Sequence, residues 1–221
     1  KPSDGVPVAV PSQDMILGVY YITQQRDGEP GEGMCFSSMN EAILAYENDY
    51  ITLHSRIKVR MSKKDADGNV ISGTVETSLG RLLFNEALPQ DLGFVDRSKP
   101  ENLLLPEVDF LVKKKDLKKI LQKVIDKHGT FKCAEVLDLI KAMGYKWSTI
   151  ACMTISIADI LVPKEKKELL EEAQKTVDQI SKNYRRGLVT EEERYRAVVE
   201  TWTKIDNRLT DALLNSLDKY N

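Results

Sequence analysis

Two runs of apolar residues at helical three-and-four spacing dominate the C-terminal part of the chain. Leu170, Ala173, Val177, Ile180 and Tyr184 draw one seam, and Tyr195, Val198, Trp202, Ile205, Leu209 and Ala212 repeat it after a break. Each seam is too narrow to be buried all round and needs a partner, and the nearest partner is the other seam folded back. The pattern predicts an antiparallel helical hairpin over 161–221, with arms of about 24 residues and about 36 Å. Gly187 is placed to end the first helix in the left-handed conformation, with Arg185 and Arg186 at the negative end of its dipole. Thr190 and Glu193 form a Thr-x-x-Glu capping box that opens the second helix, and Pro163 suits the first turn of the first. The outer faces (Lys164, Lys167, Glu171, Lys175, Asp178) are charged, so the hairpin is expected to project and offer a docking surface. Trp202, level with Val177, is expected to be its packing centre.

The first 160 residues mix both periodicities. Met15–Thr23 reads as a short apolar helix capped by Ser12 or Asp14, after an extended, Pro-punctuated opening from Val6. Ser38 is the expected N-cap of Met39–Asn48, with Glu41 at its third position. Ile51–Arg60 alternates apolar and polar residues and predicts a half-buried strand. Asp67-Gly68 marks a hairpin turn, and Val70–Ser78 is the returning strand. A helix over Leu79–Asn85 should stop near Pro89. Lys113–His128 reads as a basic amphipathic helix ended by Gly129, Phe131–Met143 as a second ended by Gly144, and Trp147–Ile157 as a buried crossing segment. The fold class that follows is α+β: a mixed domain with a short antiparallel hairpin and helices over 1–160, then a projecting two-helix coiled coil over 161–221.

Composition narrows the function classes. A hydrophobic fraction of 42% and a charged fraction of 30% describe an ordinary globular chain, and a net charge of −2 argues against non-specific nucleic-acid binding. Cys35, Cys133 and Cys152 are scattered without CxxC spacing, which points to neither zinc nor a disulfide framework and suits a reducing cytoplasm. No apolar run approaches the roughly 20 residues of a membrane span. Reaction motifs are missing too: there is no nucleophile elbow, zinc-protease helix, P-loop or GxGxxG. His54 and His128 fall in unrelated elements. Asp65-Ala66-Asp67-Gly68-Asn69, with Glu76 at the twelfth position, imitates a calcium loop, but Val70 holds the sixth position, where the loop needs Gly. A solvated hairpin turn is the better reading.

Several motifs occur together. Pro7-x-x-x-Pro11-Ser12-Gln13-Asp14-Met15-x-Leu17-Gly18-x-Tyr20-Tyr21 is followed in order by Gly31-Glu32-Gly33-Met34, Leu53-His54-x-Arg56-Ile57-Lys58-Val59-Arg60 and Gly80-Arg81-x-Leu83-Phe84-Asn85-x-x-Leu88-Pro89. Ile155-Ser156-Ile157-x-Asp159 and Arg185-Arg186-Gly187-Leu188-Val189-Thr190-x-x-Glu193-Arg194-Tyr195 complete the series. Over nearly the whole chain this resembles the β′ (largest catalytic) subunit family of bacterial DNA-directed RNA polymerase. Two positions depart from the family pattern, Ile150-Ala151-Cys152 and Arg196, so no role is carried over to Ile150 or Arg196.

The resemblance implies that residues 1–160 are a pore domain and the hairpin is the rim-helix coiled coil that begins the funnel domain. The chain would then line the secondary channel through which nucleoside triphosphates enter. It implies partners as well: the other polymerase subunits, Gre-type cleavage factors and related channel-inserting regulators, with DNA and RNA reached only through the parent. The family's magnesium-binding aspartates would precede Lys1, so the 221 residues are expected to bind no cofactor and to be inactive alone. The absence of an initiating Met agrees with a piece of a longer protein. Tyr184, Arg185, Arg186, Glu193, Arg194 and Tyr195 are candidate factor-docking residues at the hairpin tip, the alternative being a well-capped solvated turn. Gln13 and Asp14 are candidates for facing the pore, with N-capping the alternative for Asp14. A different class of function, an autonomous adaptor assembling through its coiled coil, predicts an initiating Met and a chain complete at Asn221.

Overall fold

The computed structural model describes residues 7, 9–64, 70–99, 102–154, 156–159 and 161–217. The Asp67-Gly68 turn, Ile155 and most of the opening stretch lie outside them. The fold is α+β, and the chain separates into two compact units, residues 1–153 and 154–221.

In the first unit, helix α1 (Asp14–Thr23) precedes a three-stranded sheet of order β1-β2-β3. Strand β1 (Cys35–Phe36) pairs parallel to β2 (Arg56–Lys64), with Cys35 opposite Lys58, and β3 (Val70–Ser78) runs antiparallel to β2 from Arg56↔Ser78 to Lys64↔Val70. Helix α2 (Met39–Glu47) connects β1 to β2 and starts as expected: the Ser38 side chain accepts the Glu41 amide, and Glu41 accepts the Ser37 amide in return at 2.6 Å. Helix α3 (Leu79–Glu86) follows β3 directly, and α4 (Lys114–Ala151) closes the unit. One core joins them, built from Val19 and Ile22 of α1, Ile57 and Val59 of β2, Leu79, Leu82 and Phe84 of α3, and Leu117, Ile120, Leu121, Val124, Val136, Ile140 and Trp147 of α4.

Three expectations fail here for identifiable reasons. The strand starts at Arg56 rather than Ile51, because the backbone of Ile51–Ser55 is paired with local side chains and with the amides of Arg26 and Gly80 instead of a strand ladder. Ser55 Oγ accepts the Thr52 amide at 2.9 Å and donates to the Pro30 carbonyl at 2.7 Å, while Thr52 Oγ1 accepts the His54 amide at 3.3 Å. Ile51, Leu53, His54 and Ser55 are all buried, which an alternating strand would not allow. Gly129 does interrupt α4, at φ 78° and ψ −179°, but Gly144 does not end it. Gly144 lies inside the helix where the backbone of Met15 comes close: a Cβ there would meet the Met15 carbonyl oxygen at 2.6 Å. The helix runs on to Ala151 and stops at Cys152, φ 47°. The Trp147–Ile157 stretch is therefore no buried crossing. Trp147 is buried, but Ile150, Met153 and Ile157 are exposed.

The second unit is the hairpin. Helix α5 (Lys166–Arg185) and helix α6 (Glu191–Ser216) run antiparallel, as Glu172–Arg208 at 3.2 Å shows, and Leu169, Ala173, Ile205 and Leu209 pack between them. The buried seam keeps Ala173, Ile205 and Leu209 of the expected one and departs from it at two places. Leu169 is buried in place of Leu170, and Trp202, 38% exposed, sits at the rim rather than the centre. Both Leu169 and Leu170 satisfy the spacing to Ala173, and Leu169 is the one that joins Ala173, Ile205 and Leu209 in the cluster. Ile205→Ala is expected to destabilise the hairpin by about 2–4 kcal/mol and Trp202→Ala by less than half as much, read from hydrogen exchange of the α5 and α6 amides.

Candidate functional site

The hairpin tip is built by its caps. Past the last turn of α5, the Gly187 amide donates to the Tyr184 carbonyl at 2.8 Å and the Leu188 amide to that of Asn183 at 3.1 Å, with Gly187 at φ 74°. This is the Schellman arrangement, in which a left-handed residue lets two amides return to the final carbonyls. Three residues later Thr190 Oγ1 accepts the Glu193 amide at 3.3 Å and the Glu193 carboxylate accepts the Thr190 amide at 2.8 Å, a complete capping box. These hydrogen bonds, the Thr190 amide first, hold the Glu193 carboxyl below its ordinary range.

The six tip candidates therefore divide. Glu193 is committed to the cap. The Arg194 guanidinium pairs with Glu191, Nε to Oε2 at 2.9 Å, and lies over the Tyr184 ring, 5.5 Å from its centroid. That pair lowers the Glu191 carboxyl and raises Arg194. Arg185, Arg186 and Tyr195 are exposed, and no ion pair engages either arginine among the described residues. A partner would meet a surface of two free guanidiniums and one phenol, with the acidic residues behind them already paired.

Gln13 and Asp14 lie at the start of α1. Asp14 is the first helical residue, and Gln13 occupies the N-cap position without a side-chain cap, so the expected capping by Ser12 or Asp14 does not occur. The turn closes through the backbone instead, Met15 amide to Ser12 carbonyl at 3.2 Å. Gln13 is held at φ 49° and ψ −123°, a conformation that favours glycine. Its side chain lines a groove of about 450 Å³ with Ile16, Leu17, Tyr20, Lys113 and Lys114. The neighbourhood of Gln13 and the lysines is a finding of the structure. In the sequence the only signal was the basic run that opens α4.

Neither histidine sits beside these residues. His128 Nε2 lies 2.7 Å from Asp91 Oδ1 at the surface. His54 is 4% exposed, its Nδ1 3.1 Å from the Gln24 carbonyl and its ring edge-on to Tyr21. Burial pushes the His54 imidazole below its usual value and outweighs the opposing hydrogen bond to the Gln24 carbonyl, with lesser contributions from Arg26, which lowers it further, and Glu29, which raises it. The neutral ring is the form the fold accommodates, so the unfolded chain binds a proton more readily. Stability is accordingly complete above about pH 6.5 and falls as pH drops through and below that value. In denaturant titrations between pH 7.5 and pH 5, His54→Gln is expected to flatten that slope. An unchanged slope would assign the dependence to other groups.

Among the described residues no cluster of three or more His, Cys, Asp or Glu could hold a metal ion, and no helix is long and apolar enough to cross a membrane. Residues 1–160, the α+β part of the chain, match the family RNA polymerase Rpb1, domain 3, and the chain belongs to that family. Across all 221 residues it is 59% identical to the DNA-directed RNA polymerase subunit beta′ of Lachnoclostridium phytofermentans and 53% identical to that of Acetivibrio thermocellus. The identity to the Clostridium acetobutylicum subunit is 50%. The chain spans 18–19% of the length of these curated relatives.

Proposed function

We propose that this chain is the corresponding segment of an RNA polymerase β′ subunit. It lines the secondary channel with its first unit and presents the hairpin as a rim to which channel-inserting factors of the Gre type dock. Templated RNA synthesis, its magnesium and its nucleoside triphosphates belong to the parent assembly, cytoplasmic like other bacterial polymerases, and the segment alone is inactive. Gln13 and Asp14 face the nucleotide path. The family membership supports the assignment to the subunit. The observation that carries the docking role is the tip itself: a turn fixed by a Schellman motif and a capping box that leaves Arg185, Arg186 and Tyr195 without partners among the described residues. A rigid, preorganised tip loses little entropy on binding, and unpaired cations give orientation and rate.

The test separates docking from folding. In the assembled polymerase, Arg186→Ala with Tyr195→Ala is expected to weaken a Gre-type factor about tenfold or more, with the salt dependence of the on-rate reduced and the thermal midpoint unmoved. Thr190→Ala should do the reverse, costing about 1 kcal/mol of hairpin stability with little effect on affinity once folded. Wild-type affinity in the Arg186/Tyr195 variant would leave the tip a solvated turn.

A further inference from the structure

Lys113, Lys114, Lys115, Lys118 and Lys119 place five exposed cations within seven residues at the beginning of α4. The one acid among them, Asp116, accepts the Lys113 amide at 3.2 Å, and no ion pair engages any of the five lysines among the described residues. Local electrostatics opposes this arrangement. The first turn is the positive end of the helix dipole, and Lys114 with Lys118, and Lys115 with Lys119, are like-charged neighbours one turn apart. The charge is kept at the expense of the helix, and no ion pair among the described residues neutralises it.

Beside it lies the groove of about 450 Å³, with Lys113 and Lys114 on one side and Ile16, Leu17 and Tyr20 of α1 on the other. Leu17 is 36% exposed. Gln13, which also lines the groove, keeps a side chain where its backbone angles favour glycine, and strain of that kind gathers at sites that hold ligands.

We infer that this groove binds an acidic polypeptide segment that carries apolar side chains. The lysines set the sign of the partner. The floor sets its class: Ile16 and Leu17 beside one tyrosine seat Leu or Phe side chains, whereas single-stranded nucleic acid is held by several aromatic rings stacking successive bases, and this groove has one. The inference stands on the first unit alone and is independent of the hairpin tip. Titrating the 221-residue chain with a short fluorescein-labelled peptide of Glu and Asp interspersed with Leu and Phe should show saturable, salt-sensitive binding. Lys114→Glu with Lys118→Glu should weaken it about tenfold or more while leaving the thermal midpoint equal or higher, because acidic residues suit a helix start. Leu17→Ser should weaken it as well, whereas Lys164→Glu in the hairpin should not. Three results would each overturn the inference: no binding or undiminished binding in the double variant, equal affinity for a peptide with Ser in place of Leu and Phe, or displacement by single-stranded RNA that binds more tightly.

Discussion

Gly18→Ala is expected to destabilise the first unit by about 3 kcal/mol or more, against the ordinary rule that Ala improves a helix by about 1 kcal/mol over Gly. The reason is a backbone-on-backbone crossing. A Cβ on Gly18 would lie 2.0 Å from the Gly144 carbonyl oxygen and 2.9 Å from its Cα, and one on Gly144 would lie 2.7 Å from the Met15 Cα. No rotamer relieves such a clash, so α1 must lift from α4. The movement would loosen Val19 and Ile22 in the core and stretch the hydrogen bond from the Val112 amide to Thr23 Oγ1, 3.0 Å. Nor can α1 slide towards α3, because a Cβ on Gly80 would already meet the Ile22 carbonyl oxygen at 2.0 Å. Chemical denaturation checks the size of the effect. Gly18→Ala and Gly144→Ala should be strongly non-additive, since either alone opens the same contact. A neutral or stabilising Gly18→Ala would mean that the helices do not touch there. Because α1 begins at Asp14, this crossing also sets where Gln13 and Asp14 are presented.

That contact marks the limit of what the sequence makes legible. Local chemistry read well wherever the determinants lie within a few residues. Ser38 and Thr190 accept the amides that their spacing to Glu41 and Glu193 predicts, Gly187 takes the left-handed form, and β3 runs from Val70 to Ser78 as its alternation requires. Reading failed where a distant segment decides. Gly144 looks like a helix stop, but Met15 needs it without a side chain. Ile51–Ser55 alternates like a strand, yet Pro30 and Gln24 draw Ser55 and His54 into a buried turn. Leu169 and Leu170 are equivalent by spacing, and only the partner helix distinguishes them. For the candidate site the tip residues were legible as a group, and the division into committed and free members was not. Whether Arg194 is free depends on a rotamer that meets Glu191 and Tyr184.

The segment after α3 carried no periodic signal at all, and it contains the second large expected effect. The Glu107 side chain is 0% exposed. Its carboxylate accepts the Phe94 amide at 2.8 Å and the Val95 amide at 3.4 Å, and pairs with Arg97 Nη2 at 3.2 Å. Arg97 in turn donates to the carbonyls of Asn102 and Leu103 at 2.9 and 2.7 Å. One buried carboxylate thus replaces secondary structure as the organiser of the connection between α3 and α4. Glu107→Ala would leave two amides and a guanidinium without their acceptor, and breaking a buried charged pair from one side costs about 3–5 kcal/mol. Glu107→Gln keeps the shape and one acceptor oxygen, so it should cost clearly less. Hydrogen exchange at Phe94 and Val95 should rise sharply in the alanine variant, with the midpoint of denaturation falling in step. Adding Arg97→Met to Glu107→Ala should recover part of the loss, because the unmatched charge is then gone. If the double variant were as unstable as the sum of the two single ones, Glu107 and Arg97 would be acting separately. The loop would then owe its order to the amide bonds alone.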